Sequence, residues 1–357
     1  MESKKKILMI ATTPLNNDGL TKIEMDVILY CQDYIIFDLA CGYELSHIYA
    51  EKLQALGVCF YKLPDKKKIL SYMFAIQNLV KRKKYSTVYI HGNSAMMFLE
   101  TIPSKLGGAK TITHCHNTKS NFPLFHYMLK PFFNAAADVK IGCSIFATKW
   151  AYMGKRIITI PNGVDLMRFC YDEEKSREVR KNLGWETEKI VGHIGRMNKQ
   201  KNHKKLISVF HRMHDIDDSV RLLLIGNGEL KEDIATQIEV LGISDLVKII
   251  NNTDRPQDYM QAMDIMVLPS LFEGLCLVAI EAQANGLPVL LDDLFSPETS
   301  VSDLAFSLKL TESDEIWAKK TLEIMKTGRH DVTDQIRTNK MEYHVMMDRI
   351  KKVLLSV

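Results

Sequence analysis

The chain has 357 residues, of which 46% are hydrophobic and 25% are charged, and its formal net charge is +4. This length exceeds what one hydrophobic core usually serves, so we expect two globular domains. No apolar run reaches the roughly 18–20 residues of a membrane span. The seven cysteines form no C-x-x-C pair, which argues against a disulfide framework or a structural zinc site.

Basic residues concentrate in the first half of the chain. Residues 1–165 hold 21 Lys or Arg against 12 Asp or Glu, with basic runs at 66–68 and 81–84. Such a surface could meet anionic lipid or a phosphate-bearing partner, although an ordinary solvated surface explains the runs equally well. The basic, then apolar start is too short for a signal peptide and lacks a cleavage site. We therefore expect a cytoplasmic protein with a potential peripheral contact at the inner face of the membrane.

Short apolar runs alternate with amphipathic stretches along the chain. The runs predict strands at 7–13, 86–94, 109–117, 139–144 and 156–163. After 161–165 the pattern restarts, with strands at 189–196, 220–228, 246–252, 264–270 and 287–293. This alternation predicts two doubly wound, Rossmann-like α/β domains that face each other across a cleft, with ligand-binding loops after the strands. The predicted domains cover residues 1–165 and 166–332, and a helical segment at 333–357 ends the chain.

The loop after the first strand contains Gly19 immediately before a predicted helix. A glycine at this place lets backbone N–H groups approach a phosphate, but one glycine is a weak signal.

Two histidines alternate in the predicted strand at 109–117. His114 and His116 share one face, which could indicate a metal pair, but no further ligand cluster is visible, so we expect no metal. His116 lies where the strand ends and is a candidate polar contact to substrate. The alternative is a histidine satisfied within the core.

A basic loop follows the first strand of the second half. Arg196 and Lys201 lie on this loop, and Gly195 allows a close approach to the backbone. Together the two cations could neutralise the diphosphate of a nucleotide. The alternative is a solvated basic loop. The later G-x-G at 226–228 lacks the third glycine of a dinucleotide site, so we expect a tight turn there rather than an NAD site.

Two carboxylates stand in an otherwise apolar segment at 268–291. Glu273 follows a predicted strand, and Gly274 lets the chain turn into a helix that starts near Leu275 or Cys276. The N–H groups of the first helical turn suit a phosphate. Because eight residues are a little over two turns, Glu281 should lie on roughly the same side of the helix. Hydroxyl groups of a sugar and a ribose would be natural partners, and two structural salt bridges are the alternative.

These motifs together resemble glycosyltransferase family 4, whose members have the GT-B fold, retain anomeric configuration and carry an E-x7-E motif. The resemblance runs through the chain in order and is most specific in the second half, at 161–165, 195–201, 226–228 and 269–289. It implies that residues 1–165 form the acceptor-side domain and 166–332 the nucleotide-sugar domain. It also implies that 333–357 crosses back to the first domain.

The resemblance assigns roles residue by residue. Glu273 would contact the donor sugar, Glu281 the ribose, and Arg196 and Lys201 the diphosphate. It also places backbone N–H donors for the diphosphate at Gly19, Leu275 and Cys276. The loop with Asn252 and Thr253 would bind the base, and His116 would contact the donor sugar or the acceptor.

We therefore expect a metal-independent hexosyltransferase without a cofactor, which uses a nucleotide sugar, with UDP-sugar favoured. The expected acceptor is a saccharide or a lipid-linked saccharide in surface or exopolysaccharide biosynthesis, and no nucleic acid is expected as partner. The alternatives are a sugar-nucleotide epimerase or hydrolase of the same fold, or a non-catalytic nucleotide-binding protein.

Overall fold

The computed structural model describes residues 4–15, 19–45, 47–120, 122–251, 253 and 255–357. The chain forms two compact units. The N-terminal unit comprises residues 1–162 and 344–357, and the C-terminal unit comprises 163–343. The boundary lies within a few residues of the expected junction at 165, but residues 333–343 belong with the C-terminal unit. The backbone explains this placement, because Val164 forms a parallel bridge to Glu342.

The N-terminal unit is built on a seven-stranded parallel sheet with the order β3-β2-β1-β4-β5-β6-β7. The strands are β1 Lys5–Ala11, β2 Ile35–Cys41, β3 Cys59–Lys62, β4 Thr87–Gly92, β5 Lys110–Cys115, β6 Val139–Gly142 and β7 Ile157–Thr159. The helices are α1 Gly19–Cys31, α2 His47–Ala55, α3 Ile69–Lys83, α4 Phe98–Leu106, α5 Pro123–Ala136 and α6 Ile145–Ala151.

The two basic runs of this unit differ in their surroundings. Lys66 forms an ion pair of 2.7 Å with Glu100, a fully buried carboxylate that also accepts a hydrogen bond from Tyr72. The run at 81–84 is exposed at the end of α3, whose opposite face buries Tyr72, Ile76 and Val80 at a spacing of four residues. The first run is therefore partly structural, and the second is solvated.

The C-terminal unit contains a six-stranded parallel sheet with the order β10-β9-β8-β11-β12-β13. The strands are β8 Lys189–Ile194, β9 Val220–Ile225, β10 Val247–Ile250, β11 Ile265–Leu268, β12 Val289–Asp292 and β13 Ala305–Leu308. The helices are α7 Leu166–Phe169, α8 Glu173–Leu183, α9 His203–Ile216, α10 Lys231–Val240, α11 Pro256–Met260, α12 Leu277–Ala284, α13 Asp314–Met325 and α14 Thr333–Thr338. The last helix, α15 Tyr343–Ser356, is grouped almost entirely with the N-terminal unit.

Strand composition accounts for the sheets. β1, β4, β8, β9 and β11 are almost entirely buried and rich in Ile, Leu and Val, as expected of parallel strands covered on both faces. The order of the strands reverses between β1 and β4 in one sheet and between β8 and β11 in the other. Such a reversal opens a crevice at the carboxyl ends of the two strands, where α/β sheets bind ligands. None of the helices in the described ranges has the length and apolar composition needed to cross a bilayer.

Candidate active site

The candidate site of the C-terminal unit lies at its topological switch point. The loop at 195–201 leaves β8, and the loop at 269–276 leaves β11, the strand that pairs with β8. The two loops also meet directly, because the N–H of Leu271 donates a hydrogen bond of 2.8 Å to the carbonyl of Gln200. The parallel fold therefore brings together two segments that are distant in sequence.

Lys201 and Glu273 form an ion pair at this place. Lys201 Nζ lies 2.7 Å from Glu273 Oε1, and the two side chains are 16% and 9% exposed. Gln200 Nε2 donates to Glu273 Oε2 at 3.2 Å and to the carbonyl of Phe272 at 3.0 Å. Burial acts to lower the pKa of the Lys201 amine, but the charge of Glu273 and its hydrogen bond raise that pKa above its ordinary value. The lysine is thus held in its charged form.

Arg196 is on the same loop but does not join this pair. Its side chain is 64% exposed and lies 3.4 Å from Glu229 in a surface ion pair. Such a pair holds its partners weakly, so the guanidinium can turn toward another anion at small cost.

The two glycines of the loop after β9 are required by close backbone packing against the basic loop. Gly226 has φ of +144°, and a Cβ there would lie 2.0 Å from the carbonyl oxygen of Gly195. A Cβ at Gly228 would lie 2.3 Å from the carbonyl oxygen of Met197. The G-x-G at 226–228 therefore forms a tight turn against the basic loop, as the sequence indicated.

The segment with the second glutamate forms a short helix. α12 begins at Leu277, with Cys276 as its N-cap, one or two residues later than expected. In the described part of the chain, the backbone N–H groups of Leu275 and Cys276 donate no hydrogen bond. Gly274 is buried in the turn before them, and Glu281 is half-buried on the helix. Burial raises the pKa of the Cys276 thiol to about 12.

Two histidines beside this pair had no role in the sequence analysis. His193 on β8 is buried, and its Nδ1–H donates to the carbonyl of Val267 on β11 at 2.8 Å. The ring of His203, the first residue of α9, lies 4.6 Å from that of His193. Burial and the charge of Lys201 lower the pKa of His203 to about 4, so the ring is neutral at physiological pH. The sequence signal for these two histidines was an H-x-G-R motif at 193–196 followed by N-H at 202–203.

The expected base-binding loop is described in part. Asn252 lies outside the described residues, whereas Thr253 is half-buried and accepts a hydrogen bond from the N–H of Arg255 at 3.1 Å. This contact makes Thr253 a turn residue, and its role toward a base stays a prediction.

The two candidates of the N-terminal unit both follow strands of its own sheet. Gly19 is exposed and begins α1, the helix that follows β1. His116 lies just after β5, with Nε2 at 3.1 Å from Nδ1 of His91 on β4. Its Nδ1 is buried and, within the described residues, has no hydrogen-bond partner. The ring is thus engaged with a second histidine.

Comparisons with known proteins agree with this architecture. Residues 175–339, which include both loops, match the family model described as glycosyl transferases group 1. The putative glycosyltransferase EpsF of Bacillus subtilis is 25% identical over 87% of this chain and 82% of its own length. UDP-Gal:alpha-D-GlcNAc-diphosphoundecaprenol alpha-1,3-galactosyltransferase of Escherichia coli is 27% identical over 64% of this chain and 62% of its own.

Among solved structures, HepE of Anabaena in complex with UDP superposes with a TM-score of 0.82 at 17% identity, covering 99% of this chain and 100% of that one. TarM gives a TM-score of 0.73 at 16% identity, covering 99% of both chains. The expected fold of two Rossmann-like α/β domains of the GT-B type is confirmed. The stretch that matches the glycosyl transferases group 1 model lies entirely within the C-terminal unit.

Proposed function

We propose that the protein is a retaining glycosyltransferase of family 4, which transfers a hexosyl group from a UDP-sugar to a saccharide or lipid-linked acceptor in surface or exopolysaccharide biosynthesis. The observation that carries this proposal is the ion pair of Lys201 and Glu273 at the switch point of a parallel sheet. The glycosyl transferases group 1 match encloses both residues and supports the assignment. The spacing from Glu273 to Glu281 is that of the E-x7-E motif.

The relatives favour a UDP-sugar and a polysaccharide pathway. HepE was crystallised with UDP and with UDP-glucose. The Escherichia coli relative is named for UDP-Gal and for a diphosphoundecaprenol acceptor, and a Staphylococcus aureus relative is named for capsular polysaccharide biosynthesis. These names support a UDP-hexose donor and a saccharide acceptor that is lipid-linked.

The chemistry needs a group that stabilises the departing nucleoside diphosphate. An ammonium has three donor hydrogens, and one of those of Lys201 is directed at Glu273, so two remain for phosphate oxygens. Arg196 can leave its surface pair with Glu229 to add a second cation, and the N–H groups of Leu275 and Cys276 supply neutral donors. Fixed donors of this kind stabilise charge that grows as the bond to the sugar breaks. This arrangement makes a metal ion unnecessary at the diphosphate.

The carboxylates would act on the sugar side of the same bond. The charge of Glu273 would stabilise an oxocarbenium-like sugar, and same-face attack within the resulting ion pair would retain the configuration. Glu281 would bind the ribose. The roles of Gly19, Asn252, Thr253 and His116 toward phosphate, base and sugar rest on the family resemblance.

A membrane contact of the N-terminal unit fits a lipid-linked acceptor. Leu124, Phe125, Met128 and Phe132 lie on the outer side of α5 and are between 52% and 69% exposed. A helix that presents four large apolar side chains to solvent is typical of a surface that lies in the membrane interface.

The neighbouring helix extends this surface. His126 of α5 stacks on Trp150 of α6 with ring centroids 3.8 Å apart, so the two helices pack together. α6 adds exposed Phe146 and Lys149, and an apolar face edged by lysine suits anionic lipid.

The test of the proposed function is a donor screen with and without acceptor. Purified protein is incubated with UDP-, GDP- and ADP-hexoses, alone and with a polyprenyl-diphosphate saccharide, and nucleoside diphosphate release and glycosylated product are both measured. Acceptor-dependent product from a UDP-hexose in the presence of EDTA supports the proposal. Release of UDP or a changed sugar without acceptor would assign the protein to the hydrolase or epimerase class. Binding of UDP without any turnover would make it a nucleotide-binding protein.

A further inference from the structure

Three histidines meet at the carboxyl edge of the N-terminal sheet. His91 on β4 and His114 on β5 are register partners on adjacent strands, and His116 follows two residues later on the same face. One ring nitrogen of each histidine lies within 4.8 Å of those of the other two. His91 and His114 are fully buried, and His116 is half-buried.

The hydrogen bonds of this cluster leave ring nitrogens without partners. Tyr89 Oη lies 2.7 Å from Nδ1 of His114, and Nδ1 of His91 lies 3.1 Å from Nε2 of His116. The other nitrogen of each ring is buried and has no hydrogen-bond partner in the described part of the chain. Buried polar atoms without partners cost free energy, and a group bound at Nε2 of His114 would give that nitrogen the partner it lacks.

The spacing suits one tetrahedral metal ion. Two nitrogens bound to zinc at about 2.0–2.1 Å lie about 3.3 Å apart in tetrahedral geometry. The 3.1 Å between Nδ1 of His91 and Nε2 of His116 is close to this value. The third ligand is Nε2 of His114, because an Nδ1–H that donates to Tyr89 Oη leaves the lone pair on Nε2.

We propose that His91, His114 and His116 bind one Zn²⁺ ion in the N-terminal unit, with Tyr89 orienting the His114 ring. Imidazole nitrogen is a preferred zinc ligand, and three histidines leave the fourth position open. The expectation of no metal rested on a missing third ligand, which the pairing of β4 with β5 supplies.

This site shares only His116 with the proposed transfer chemistry, in which the family resemblance gives that residue a sugar contact, whereas His91 and His114 have no role there. The diphosphate is assigned to residues of the C-terminal unit, whereas the three histidines belong to the other sheet. A failure to bind zinc would therefore leave the transferase proposal intact, and a failure of transferase activity would leave the metal site intact.

The experiment is a Co²⁺ and Zn²⁺ titration of the full-length, metal-depleted protein. Visible absorption reports tetrahedral Co²⁺, zinc displaces it, and mass spectrometry measures zinc in protein purified without chelator. The wild type should bind one ion per chain. His91→Ala and His114→Ala should lose at least about 100-fold in affinity, and Tyr89→Phe about 10–100-fold. His47→Ala is the matched control, because this exposed histidine pairs with Glu51 and should bind as the wild type does.

Two results would overturn the proposal. One is a wild type that binds well below one ion per chain. The other is undiminished binding in folded His91→Ala and His114→Ala proteins, with circular dichroism as the measure of folding. If both alanine variants fail to fold, the wild-type stoichiometry and the affinity of Tyr89→Phe decide the question, since that variant keeps the ring and removes the hydroxyl.

Discussion

Lys201 Nζ lies 2.7 Å from Glu273 Oε1, although the two residues are 72 positions apart in the chain. The pair exists because β8 and β11 are neighbours in the sheet and each residue stands in the loop after its strand. The half-buried lysine is kept charged by the glutamate, and the glutamate is kept in place by the lysine and Gln200. We expect substitutions of the two residues to differ in their effects on activity, stability and UDP binding.

Replacement of the lysine should remove both activity and stability. Lys201→Ala takes a cation from the departing diphosphate, so kcat/KM should fall by about 10²–10³-fold. It also leaves Glu273 buried without its counter-ion, which should lower the free energy of unfolding by about 3 kcal/mol. Steady-state kinetics and urea unfolding measure the two effects.

Lys205→Ala is the matched control for that variant. Lys205 forms an ion pair of the same length, 2.7 Å, with Asp314 and is 15% exposed. Because Asp314 is 38% exposed whereas Glu273 is 9% exposed, we expect a smaller loss of stability than in Lys201→Ala and no loss of kcat/KM. Equal kinetic losses in both variants would mean that the effect is structural.

Substitution of Glu273 should affect turnover and UDP binding differently from substitution of Lys201. Glu273→Gln keeps the shape of the side chain and a hydrogen-bond acceptor for Gln200 but removes the negative charge. Turnover should fall by about 100-fold, because a charge opposite the oxocarbenium-like sugar is lost. UDP should bind as well or more tightly, because the carboxylate no longer competes for the ammonium. Weaker UDP binding together with normal turnover would contradict this assignment.

Gly226 should tolerate no side chain. An alanine there would place its Cβ 2.0 Å from the carbonyl oxygen of Gly195 and would adopt φ of +144°. Both effects displace the loop that carries Lys201, so we expect a large loss of stability and a weaker affinity for UDP. Gly242→Ala is the control, because nothing lies within 4 Å of a Cβ placed there and the cost of its φ of +69° alone is about 1 kcal/mol. Thermal unfolding and UDP titration measure the difference.

Stability should depend on pH through buried histidines. Burial lowers the pKa of His203 to about 4 from 6.5, so between these values the unfolded chain binds a proton that the folded protein excludes. Stability from this group is complete above pH 6.5 and decreases as pH falls toward 4, by up to about 1.4 kcal/mol per pH unit. Urea unfolding at pH 7, 6 and 5 gives the slope of the free energy of unfolding against pH, which counts the protons taken up on unfolding. His203→Gln should reduce this slope by about one proton. An unchanged slope would show that His203 is protonated in the folded state.

The outer face of α5 should carry membrane binding. Phe125→Ser with Phe132→Ser removes two exposed aromatic rings and should weaken binding to phosphatidylglycerol vesicles by at least about tenfold. Leu70→Ser with Phe74→Ser is the control, because these apolar side chains on α3 are at least as exposed as Phe125 and Phe132. Vesicle sedimentation at low and high salt is the measurement. Binding that is absent, insensitive to salt or equal in both variants would argue against this surface.

The sequence predicted most of the two sheets, and the misses have physical reasons. β2 was overlooked because Asp38 interrupts its apolar run, and the buried carboxylate is neutralised by Lys6, 2.9 Å away on neighbouring β1. β3 and β13 were overlooked because each lies at the edge of its sheet and is only partly buried, so neither shows a strong apolar run. Tertiary partners decide all three cases.

The candidate site was predictable as a set of residues but not as a set of contacts. Lys201 and Glu273 were named from their places after strands, but their ion pair depends on the sheet order. Arg196 was named with them, yet its side chain is exposed beside Glu229. His91 was missed because a single histidine in an apolar strand carries no signal until the adjacent strand brings His114 beside it.

The most direct test of the central claim is calorimetric titration of UDP into the wild type, Lys201→Ala and Lys205→Ala. If Lys201 holds the donor diphosphate, the alanine at 201 should weaken UDP binding by about 30–160-fold, the loss expected for a charge-assisted contact of about 2–3 kcal/mol. The alanine at 205 should leave UDP binding unchanged. Equal UDP affinity in all three proteins would contradict the account.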